Sequence, residues 1–539
     1  MSDRFDYIVV GGGSAGCVLA NRLSRDPKNQ VLLIESGPSD KAFLIDIPRG
    51  VGKLLAPGGS YVSTYDAAKG GGYGNEPWVK GRVIGGSSSV NGMIYSRGHP
   101  DDFNGWEADG CSGWGWDKIG ACYAAIEDHQ LGAEDCRGQG GPLRITIHEP
   151  HDAESKRICE AILDAAEQAG TPRVPDINNA YDGGFGYQPR NIADGRRQGA
   201  GRAFLHPVMH RKNLEVRVGT EVVKILFEGK KAVGVLARDR NGEHEIRTRG
   251  EVILSAGAIE TPKLLQLSGV GDASLLQSLQ IPVVANNPEV GRNMTEHLYL
   301  QVQYRVTEGS VNSKLVGVPL ILNTLRYLAF RTGVMTDGAH ELSGFVKTHP
   351  RSTRPDAHLG VGLYSMAFTD KGFALDSEPG ITFGAYPMRP ESRGESMIVS
   401  ADPRVPPAIT SNYLATESDR EFAVTTLRYI RKIVEQDALK PYIVEELNPG
   451  ASVQSDEDII RCFGEQGMRG YHVASTCRMG SDENSVLDPE LRVRGVEGLR
   501  VMDTSIFPTL TSGNTNAPVM ACALRASQII LGEEGPVVW

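Results

Sequence analysis

The chain has few of the features that mark membrane, secreted and nucleic-acid-binding proteins. No run of about 18 uncharged apolar residues occurs, so we expect no membrane span. Residues 1–6 lack the charged and apolar segments of a secretion signal, and a cytoplasmic location is expected. Basic residues number 56 against 66 acidic ones, which gives a net charge of −10 and argues against nucleic acid or an anionic membrane as a partner.

Cysteines are few and irregularly spaced. The eight cysteines form no C-x-x-C or C-x-x-x-x-C pair, which excludes zinc-ribbon and dithiol redox sites. We therefore predict no metal site. The pattern favours small buried thiols in a protein from a reducing compartment.

Hydrophobic residues and glycine are abundant instead. The 539 residues are 40% hydrophobic and include 64 glycines and 30 prolines, a composition typical of a large, loop-rich globular enzyme. Apolar spacing predicts helices at 155–169, 417–437 and 457–463. It predicts strands between 213 and 256, with a hairpin turn at Asn241-Gly242, and several strands in 300–410. Residues 40–80 read as irregular.

The N-terminal segment has the order strand, glycine loop, helix, strand. Residues 5–10 and 31–35 have buried-strand patterns, and residues 17–23 have apolar residues at helical spacing. A G-x-G-x-x-G loop lies between the first strand and the helix, where bare backbone can approach a pyrophosphate. The loop therefore predicts dinucleotide binding, and the alternative is a glycine-rich turn in an unrelated α/β domain. The loop residues are Gly11, Gly13, Ser14, Ala15 and Gly16.

Glu35 ends the second strand, 19 residues after Gly16. A carboxylate at this place can accept hydrogen bonds from a ribose and disfavours a 2′-phosphate. FAD or NAD is therefore preferred to NADP, and the loop alone does not separate the two.

Two longer segments resemble the signatures of the glucose–methanol–choline oxidoreductase family. The first runs from Gly81 to Asn91 and continues to Asn104, and the second runs from Gly257 to Gly271. Segments 471–480, 500–508 and 513–518 are similar to the family as well, so the resemblance extends from Phe5 to about Ile530. It implies FAD rather than NAD, and oxidation of an alcohol, in the bacterial choline-dehydrogenase-like and alcohol-dehydrogenase-like branch. For the second signature taken alone, a purely structural helix from Thr261 is the alternative.

The resemblance implies an α/β fold with two domains. A Rossmann-like FAD-binding domain would be assembled from residues 1–40, 80–150, 205–300 and 466–539. A β-rich substrate-binding domain, an antiparallel sheet flanked by helices, would comprise 151–204 and 301–465. Residues 41–79 would be a lid or irregular segment, and the glycine-rich stretch 69–74 is either part of that lid or a flexible surface loop.

The resemblance and the glycine loop together give a predicted FAD site. Gly85 and Gly86 leave the backbone free to approach phosphate, and the serines that follow offer hydroxyls. Val90 stands where some relatives attach FAD covalently through a histidine, and valine is no nucleophile, so non-covalent FAD is predicted. The predicted FAD-binding residues beyond the first loop are Glu35, Arg82, Gly85, Gly86, Ser87, Asn91, Gly92, Met93, Val222, Asp503, Asn514 and Thr515.

Alcohol oxidation requires the hydroxyl proton and a hydride to leave. Histidine suits the proton transfer because its unperturbed pKa lies near neutrality. Among 12 histidines, His472 matches the family's catalytic position, and the alternative is a satisfied core histidine. Asn514 matches the second active-site position, where an amide can donate to a developing alkoxide. A helix cap is the alternative for Asn514, since Pro518 suits a first helical turn.

Two further residues are candidates for substrate contact. Glu341 lies in a stretch that resembles one near the substrate in relatives, where a carboxylate could bind a cation or orient the base. The alternative for Glu341 is a structural hydrogen bond. Tyr471 precedes the base. The chain departs from the family at Gly199, where a serine is usual, and at 293–297, which read Asn-Met-Thr-Glu-His instead of Asn-Leu-x-Asp-His.

The sequence thus predicts oxidation of a small-molecule alcohol, a primary one in the first instance, to the aldehyde. Electrons would then pass to O2 or to an electron carrier, and no residue decides between them. Three alternatives stay open: a lyase or photoenzyme that retains FAD on the same scaffold, an NAD enzyme, and a non-catalytic FAD-binding module.

Overall fold

The computed structural model describes residues 5–369, 372–535, 537 and 539. Within these residues no helix is long and apolar enough to cross a membrane. The α-helices are α1 (Ser14–Leu23), α2 (Phe43–Asp46), α3 (Val51–Leu54), α4 (Pro100–Ala108), α5 (Trp116–Ile126), α6 (Ala153–Gln168), α7 (Gly257–Leu267), α8 (Ala273–Ser278), α9 (Gly317–Phe330), α10 (Glu417–Val434), α11 (Asp456–Gln466) and α12 (Asn516–Leu531).

The strands are β1 (Phe5–Val10), β2 (Val31–Ile34), β3 (Val62–Ala68), β4 (Asn75–Gly81), β5 (Glu127–His129), β6 (Leu143–Ile147), β7 (Gly184–Tyr187), β8 (Pro189–Arg190), β9 (Ile192–Ala193), β10 (Arg196–Arg197), β11 (Leu214–Arg217), β12 (Glu221–Glu228), β13 (Lys231–Asp239), β14 (Gly242–Leu254), β15 (Val270–Gly271), β16 (Ala285–Asn286), β17 (Leu298–Val306), β18 (Leu342–Val346), β19 (Ala357–Gly362), β20 (Met366–Thr369), β21 (Gly372–Leu375), β22 (Gly380–Pro387), β23 (Glu395–Met397), β24 (Ala408–Thr410), β25 (Ile443–Asn448), β26 (Met468–Arg469) and β27 (Leu499–Val501).

The first large sheet is parallel and is built from distant parts of the chain. Its order is β11, β2, β1, β14, β27, and the N-terminal half of β14 also pairs antiparallel with β13, which pairs with β12. Strand β2 is buried along its whole length, and β1 is buried at Phe5 and from Ile8 to Val10, as their apolar runs require. Helix α1 packs against α12, and both lie in the hydrophobic core that surrounds this sheet.

The second large sheet is antiparallel and has the order β25, β17, β22, β19, β18, β7, with β26 beside β17. Strands β18, β19 and β22 are buried along their whole length, and helix α10 packs on β22 while α6 contacts β7. The α/β fold, with a parallel nucleotide-type sheet and an antiparallel sheet flanked by helices, is confirmed. The strands of the parallel sheet lie in the predicted FAD-domain segments. Those of the antiparallel sheet lie in the predicted substrate-domain segments except for β26 and the first residues of β17, and the exact domain division stays a prediction.

Helix positions agree with the apolar spacing where a cap is present in the sequence. Helices α6, α10 and α11 begin after Asp152, Thr416 and Ser455, whose side chains each accept a hydrogen bond from a first-turn N–H group. The predicted hairpin joins β13 to β14, but Asp239 pairs with Gly242, so its two turn residues are Arg240 and Asn241, one position earlier than predicted. All eight cysteines are free thiols, and seven are buried.

Two predictions at this level were wrong. Residues 40–80, read as irregular, contain the short helices α2 and α3 and the β3–β4 hairpin. The glycine-rich stretch is the tip of that hairpin, where the buried Lys69 donates to the carbonyls of Gly464, Glu465 and Gly467. Helix α7 begins at Gly257 rather than at Thr261, so Pro262 lies inside it.

Candidate active site

A cavity of about 740 Å³ brings the predicted site residues together. It is lined by the glycine loop after β1, by the first signature, and by the N-terminal ends of α7 and α12. Its other walls come from the β3–β4 hairpin and from β17 and β22 of the antiparallel sheet. The predicted residues that line it are Gly11, Gly13, Ser14, Ala15, Glu35, Arg82, Gly86, Ser87, Asn91, Gly92, Val222, Tyr471, His472, Asp503, Asn514 and Thr515.

The glycines allow two loops to approach each other at the cavity floor. Gly86 has φ +54°, and a Cβ on it would lie 2.7 Å from the Cα of Gly13. A Cβ on Gly16 would lie 1.9 Å from the carbonyl oxygen of Gly11, so the third glycine lets α1 pack on the strand end. Gly85 lies behind the lining, where its N–H group donates to the Gly12 carbonyl at 2.7 Å.

Two long helices direct open N-termini at the cavity. Gly13 and Thr515 are the N-cap residues of α1 and α12, and in the described structure neither helix has a side chain capping its first turn. The two ends are tied together, because the Ser14 hydroxyl donates to Asn516 Oδ1 at 2.9 Å. Uncapped N–H groups and the positive ends of two helix dipoles favour an anionic ligand at this place.

Glu35 is buried beside the glycine loop. Its carboxylate accepts hydrogen bonds from the N–H groups of Gly12 at 2.9 Å and Gly37 at 2.7 Å. Burial raises its pKa, and the two backbone donors oppose that shift. The carboxylate therefore orders the loop and also lines the cavity.

Arg197 braces the first signature from behind. Its guanidinium donates to the main-chain oxygens of Ser88 and Asn91 and to Asn91 Oδ1 at 2.8 Å. Burial lowers the pKa of Arg197 to about 9, against a smaller opposing effect of Asp46. Met93, predicted near the flavin, is fully buried next to this segment, and its N–H group donates to Asn91 Oδ1.

His472 and Asn514 are in direct contact at the cavity wall. Asn514 Nδ2 lies 2.7 Å from His472 Nε2, and both side chains line the cavity. The Tyr386 hydroxyl donates to Asn514 Oδ1 at 3.0 Å, which directs the amide nitrogen of Asn514 toward the imidazole. Asn514 therefore makes side-chain contacts in the site and is not a helix cap, since the N-cap of α12 is Thr515.

The second nitrogen of His472 contacts another imidazole. His472 Nδ1 lies 2.9 Å from His297 Nδ1, and His297 Nε2 lies 3.4 Å from the Met388 carbonyl. Because Asn514 donates to Nε2, a neutral His472 carries its proton on Nδ1 and donates it to His297. The two bonds thus fix the tautomer in which Nε2 is the unprotonated nitrogen, whose lone pair accepts from the Asn514 amide.

Burial keeps these imidazoles neutral. It lowers the pKa of His472 well below its usual range, and the positive charges that His297 and Lys80 can carry add to the shift. Burial likewise lowers the pKa of His297 to about 3 and that of His358 to about 3. The carboxylate of Glu296 accepts hydrogen bonds from the main-chain N–H groups of His297 and His472. Burial raises the pKa of Glu296 to about 7.

The sequence reasoning missed most of the residues around the base. Tyr386 stacks on His297 with ring centroids 4.4 Å apart, and its hydroxyl contacts His358 Nδ1. Tyr299, on β17, contacts His340 Nε2 through its hydroxyl at 3.2 Å. A signal existed only for His297, which ends the segment 293–297 that matches a family pattern. The others lie on strands of the antiparallel sheet in no recognisable motif.

The surroundings of Glu341 are those expected if its carboxylate makes a structural hydrogen bond. Its carboxylate pairs with Arg49 at 2.5 Å and accepts the Leu363 N–H group at 2.9 Å. It lines a separate cavity of about 140 Å³ together with Asp337. The negative charge is thereby neutralised away from His472, and nothing in this geometry supports the predicted contact with a substrate.

The lining residues fit FAD. Two uncapped helix ends meet a pair of glycine loops, which suits a pyrophosphate, and Glu35 and Val222 line the same cavity as His472 and Asn514. Val90, which precedes Asn91 on the lining, offers no nucleophile for a covalent link.

Comparisons with known proteins agree with this geometry. The chain matches family models described as GMC oxidoreductase over residues 5–299 and 390–523. It is similar to mitochondrial choline dehydrogenase of Homo sapiens, with 38% identity over 100% of this chain and 91% of the relative. It is 36% identical to alcohol dehydrogenase (acceptor) of Pseudomonas putida over 98% of this chain and 96% of the relative.

A solved structure gives the same result. The crystal structure of pyridoxine 4-oxidase from Mesorbium loti matches with a TM-score of 0.87 and 30% identity, covering 99% of this chain and 100% of that one. The chain therefore belongs to the GMC oxidoreductase family and is a FAD-dependent alcohol oxidoreductase that binds FAD without a covalent link.

Proposed function

We propose that the enzyme oxidises an uncharged primary alcohol to the aldehyde, with His472 as the general base. The observation that carries the proposal is the 2.7 Å contact between His472 Nε2 and Asn514 Nδ2 at the cavity wall. Two polar atoms this close can both reach one substrate oxygen. The imidazole then accepts the hydroxyl proton, while the amide donates to the oxygen that becomes negative.

When bound, FAD supplies the acceptor for the hydride that leaves the alcohol carbon, and the electrons then pass to O2 or another acceptor. The protein's own part is proton transfer and orientation. His297 accepts from His472 Nδ1, so that Nε2 stays unprotonated and can take the hydroxyl proton once the substrate oxygen replaces Nε2 as the acceptor of the Asn514 amide. Tyr386 holds the Asn514 amide in the matching orientation through its bond to Oδ1.

The proposed cofactor contacts follow from the same cavity. The open N-termini of α1 and α12 would bind the anionic groups of FAD, and Glu35 would bind its ribose. Gly13 and Gly86 would leave room for the pyrophosphate. Asn514 and Thr515 stand at the helix end nearest the base, where the dipole of α12 stabilises negative charge.

The charges on the lining support an uncharged substrate. Among the described lining residues the carboxylates are Glu35, Glu221, Glu260 and Asp503. Glu260 accepts the Tyr65 hydroxyl, and Asp503 accepts from the Gly257 N–H group and the Thr261 hydroxyl. Around the base the lining is instead aromatic, with Tyr299, Tyr364 and Tyr386. Among the described lining residues, a cationic alcohol beside these rings would be held by cation–π contacts rather than by a carboxylate left without a partner.

The test is a matched pair of primary alcohols: choline and its carbon isostere, in which a quaternary carbon replaces the quaternary nitrogen. The two have the same shape and differ by one charge. We expect kcat/KM to favour the neutral isostere by about tenfold or more, because desolvating an unpaired cation is costly. A preference for choline would contradict the proposed substrate class while leaving the role of His472 intact.

A further inference from the structure

Helix α9 has an exposed apolar surface. Of the 14 exposed large apolar side chains among the described residues, seven lie between Val316 and Phe330. Val318, Ile321, Leu322, Leu325 and Leu328 follow helical spacing and form one stripe, which we call the α9 face. Each of these five side chains is between 51% and 66% exposed, although single exposed apolar residues are the norm elsewhere on the surface.

The opposite side of α9 is fixed to the protein. Tyr327 is fully buried, and its hydroxyl donates to the Asp46 carbonyl at 3.4 Å. Its ring meets the half-exposed Phe43 edge-on, with centroids 6.2 Å apart, so the apolar surface continues onto α2. Helix α3 follows α2 closely, and Val51 and Leu55 at its ends line the main cavity. The α9 face thus lies beside a segment that forms the cavity wall.

The charges of this segment are of one sign, although the whole chain is acidic. Residues 309–336 contain Lys314, Arg326 and Arg331 and no aspartate or glutamate. Lys314 pairs with Asp152 at 2.8 Å. Among the described residues neither Arg326 nor Arg331 pairs with a carboxylate: Arg326 donates to the Thr332 hydroxyl, and Arg331 lies over the Tyr327 ring. Arg331 therefore packs on the buried side of α9, where its Nη1 atom is buried, and the cation next to the apolar stripe is the exposed Arg326.

We propose that the α9 face is a docking surface for an anionic lipid bilayer. A helix with exposed leucine, isoleucine and valine on one face and arginine next to it lies in the plane of the interface, with the apolar side chains below the headgroups. Arg326 then meets a lipid phosphate instead of a protein carboxylate. The net charge of −10 argued against such a partner, but a bilayer contacts the local patch and not the average surface.

The charge pattern favours a bilayer over a second copy of the chain. A two-fold contact places the same patch on both sides, so the exposed Arg326 of each copy would enter one interface. Residues 309–336 offer no acid to neutralise them. Lipid phosphates supply the missing negative charge, and the apolar stripe supplies affinity in proportion to the area that it buries.

The test is flotation of the full-length holoenzyme with vesicles of phosphatidylcholine alone or mixed with phosphatidylglycerol. We expect binding to the anionic vesicles that weakens at high salt. The double variant Leu322→Ser/Leu325→Ser should bind the anionic vesicles with an affinity lower by about tenfold or more. The matched control is Val399→Ser/Val444→Ser, at side chains 55% and 58% exposed elsewhere, and it should float like the wild type. Flavin content and turnover with a soluble alcohol should be unchanged in both.

Two results would overturn the proposal. One is a protein that stays in solution with both kinds of vesicle, or that binds neutral and anionic vesicles equally. The other is a dimer in light-scattering chromatography that Leu322→Ser/Leu325→Ser dissociates, which would assign the α9 face to a second copy of the chain. Neither result bears on the alcohol chemistry at His472.

Discussion

At the scale of single residues, the partners of His472 decide what its imidazole can do. Asn514 donates to Nε2 and His297 accepts a hydrogen bond from Nδ1, so Nε2 at the cavity wall is the nitrogen that can act as the base. Burial adds the second condition, because a neutral imidazole is the form that can accept a proton.

Replacement of the base is the first prediction at this scale. The variant His472→Ala should lower kcat by a factor of about 100 or more, since general-base catalysis contributes that much. FAD should remain bound, because the phosphate-binding elements lie on other parts of the cavity. Turnover and the ratio of flavin to protein absorbance are the measurements. Near-normal turnover would remove His472 from the role.

The pH profile is a second prediction. An unperturbed imidazole with a pKa of about 6.5 would lose activity about tenfold between pH 7.5 and 5.5. Because the pKa of His472 is lowered, the base stays unprotonated as the pH falls through that window. We expect kcat/KM to fall less than about twofold over it. An acid limb centred near the ordinary histidine value would contradict the lowered pKa.

The contact with His297 gives a third prediction. The variant His297→Leu removes the acceptor for the Nδ1 proton of His472, so the base loses its fixed tautomer. We expect kcat to fall about tenfold or more, because the free energy of one well-formed hydrogen bond corresponds to a factor of that size. KM should change little. The variant His297→Asn, which keeps a polar acceptor, should recover part of the loss. Equal loss in both variants would indicate that His297 only fills space.

Motif matching could place His472 and Asn514 from the sequence because each lies in a segment with a long family pattern. It could not place Tyr386, His358 or Tyr299. These side chains reach the base from β17, β19 and β22, and their contacts depend on strand register in a sheet that no local pattern specifies. For Glu341, motif matching suggested a contact with the substrate that the structure does not support. The residue lies in a stretch that resembles the family, but its carboxylate forms an ion pair with Arg49.

At the scale of secondary-structure elements, two glycine loops and two helix ends form the anion site. The strand–loop–helix–strand order could be read from the sequence because β1, α1 and β2 are consecutive and strongly patterned. The approach of Gly86 to Gly13 could not, since it joins loops 73 residues apart through tertiary packing alone. The β3–β4 hairpin was missed for the same reason: its polar strands are held by β24 and by Lys69.

A paired glycine substitution tests this element. In Gly86→Ala the new methyl group would lie 2.7 Å from Gly13 Cα at a backbone with φ +54°, so the two loops must separate. We expect loss of most bound FAD and a lower melting temperature. The control Gly52→Ala places its methyl group in open space on α3 and should keep both at wild-type values or slightly above. Full FAD content in Gly86→Ala would contradict the proposed close packing at the pyrophosphate.

At the scale of the whole molecule, the cavity exists because the two sheets meet at it. The parallel sheet contributes the proposed nucleotide-binding segments near residues 11, 35 and 254. Strands β17 and β22 of the antiparallel sheet contribute the aromatic wall. The C-terminal segment supplies both His472 and the helix end at Asn514. The family resemblance predicted that distant segments form the two parts of the molecule. Only the folded chain shows which strand faces line the cavity.

The measurement that tests the central claim most directly is anaerobic mixing of the purified holoenzyme with a neutral primary alcohol in a stopped-flow instrument. The account predicts that the visible flavin absorption band bleaches in a single turnover, and that His472→Ala with equal flavin content bleaches about 100-fold more slowly or worse. A flavin band that no alcohol bleaches, or one that bleaches equally fast without the imidazole, would contradict it.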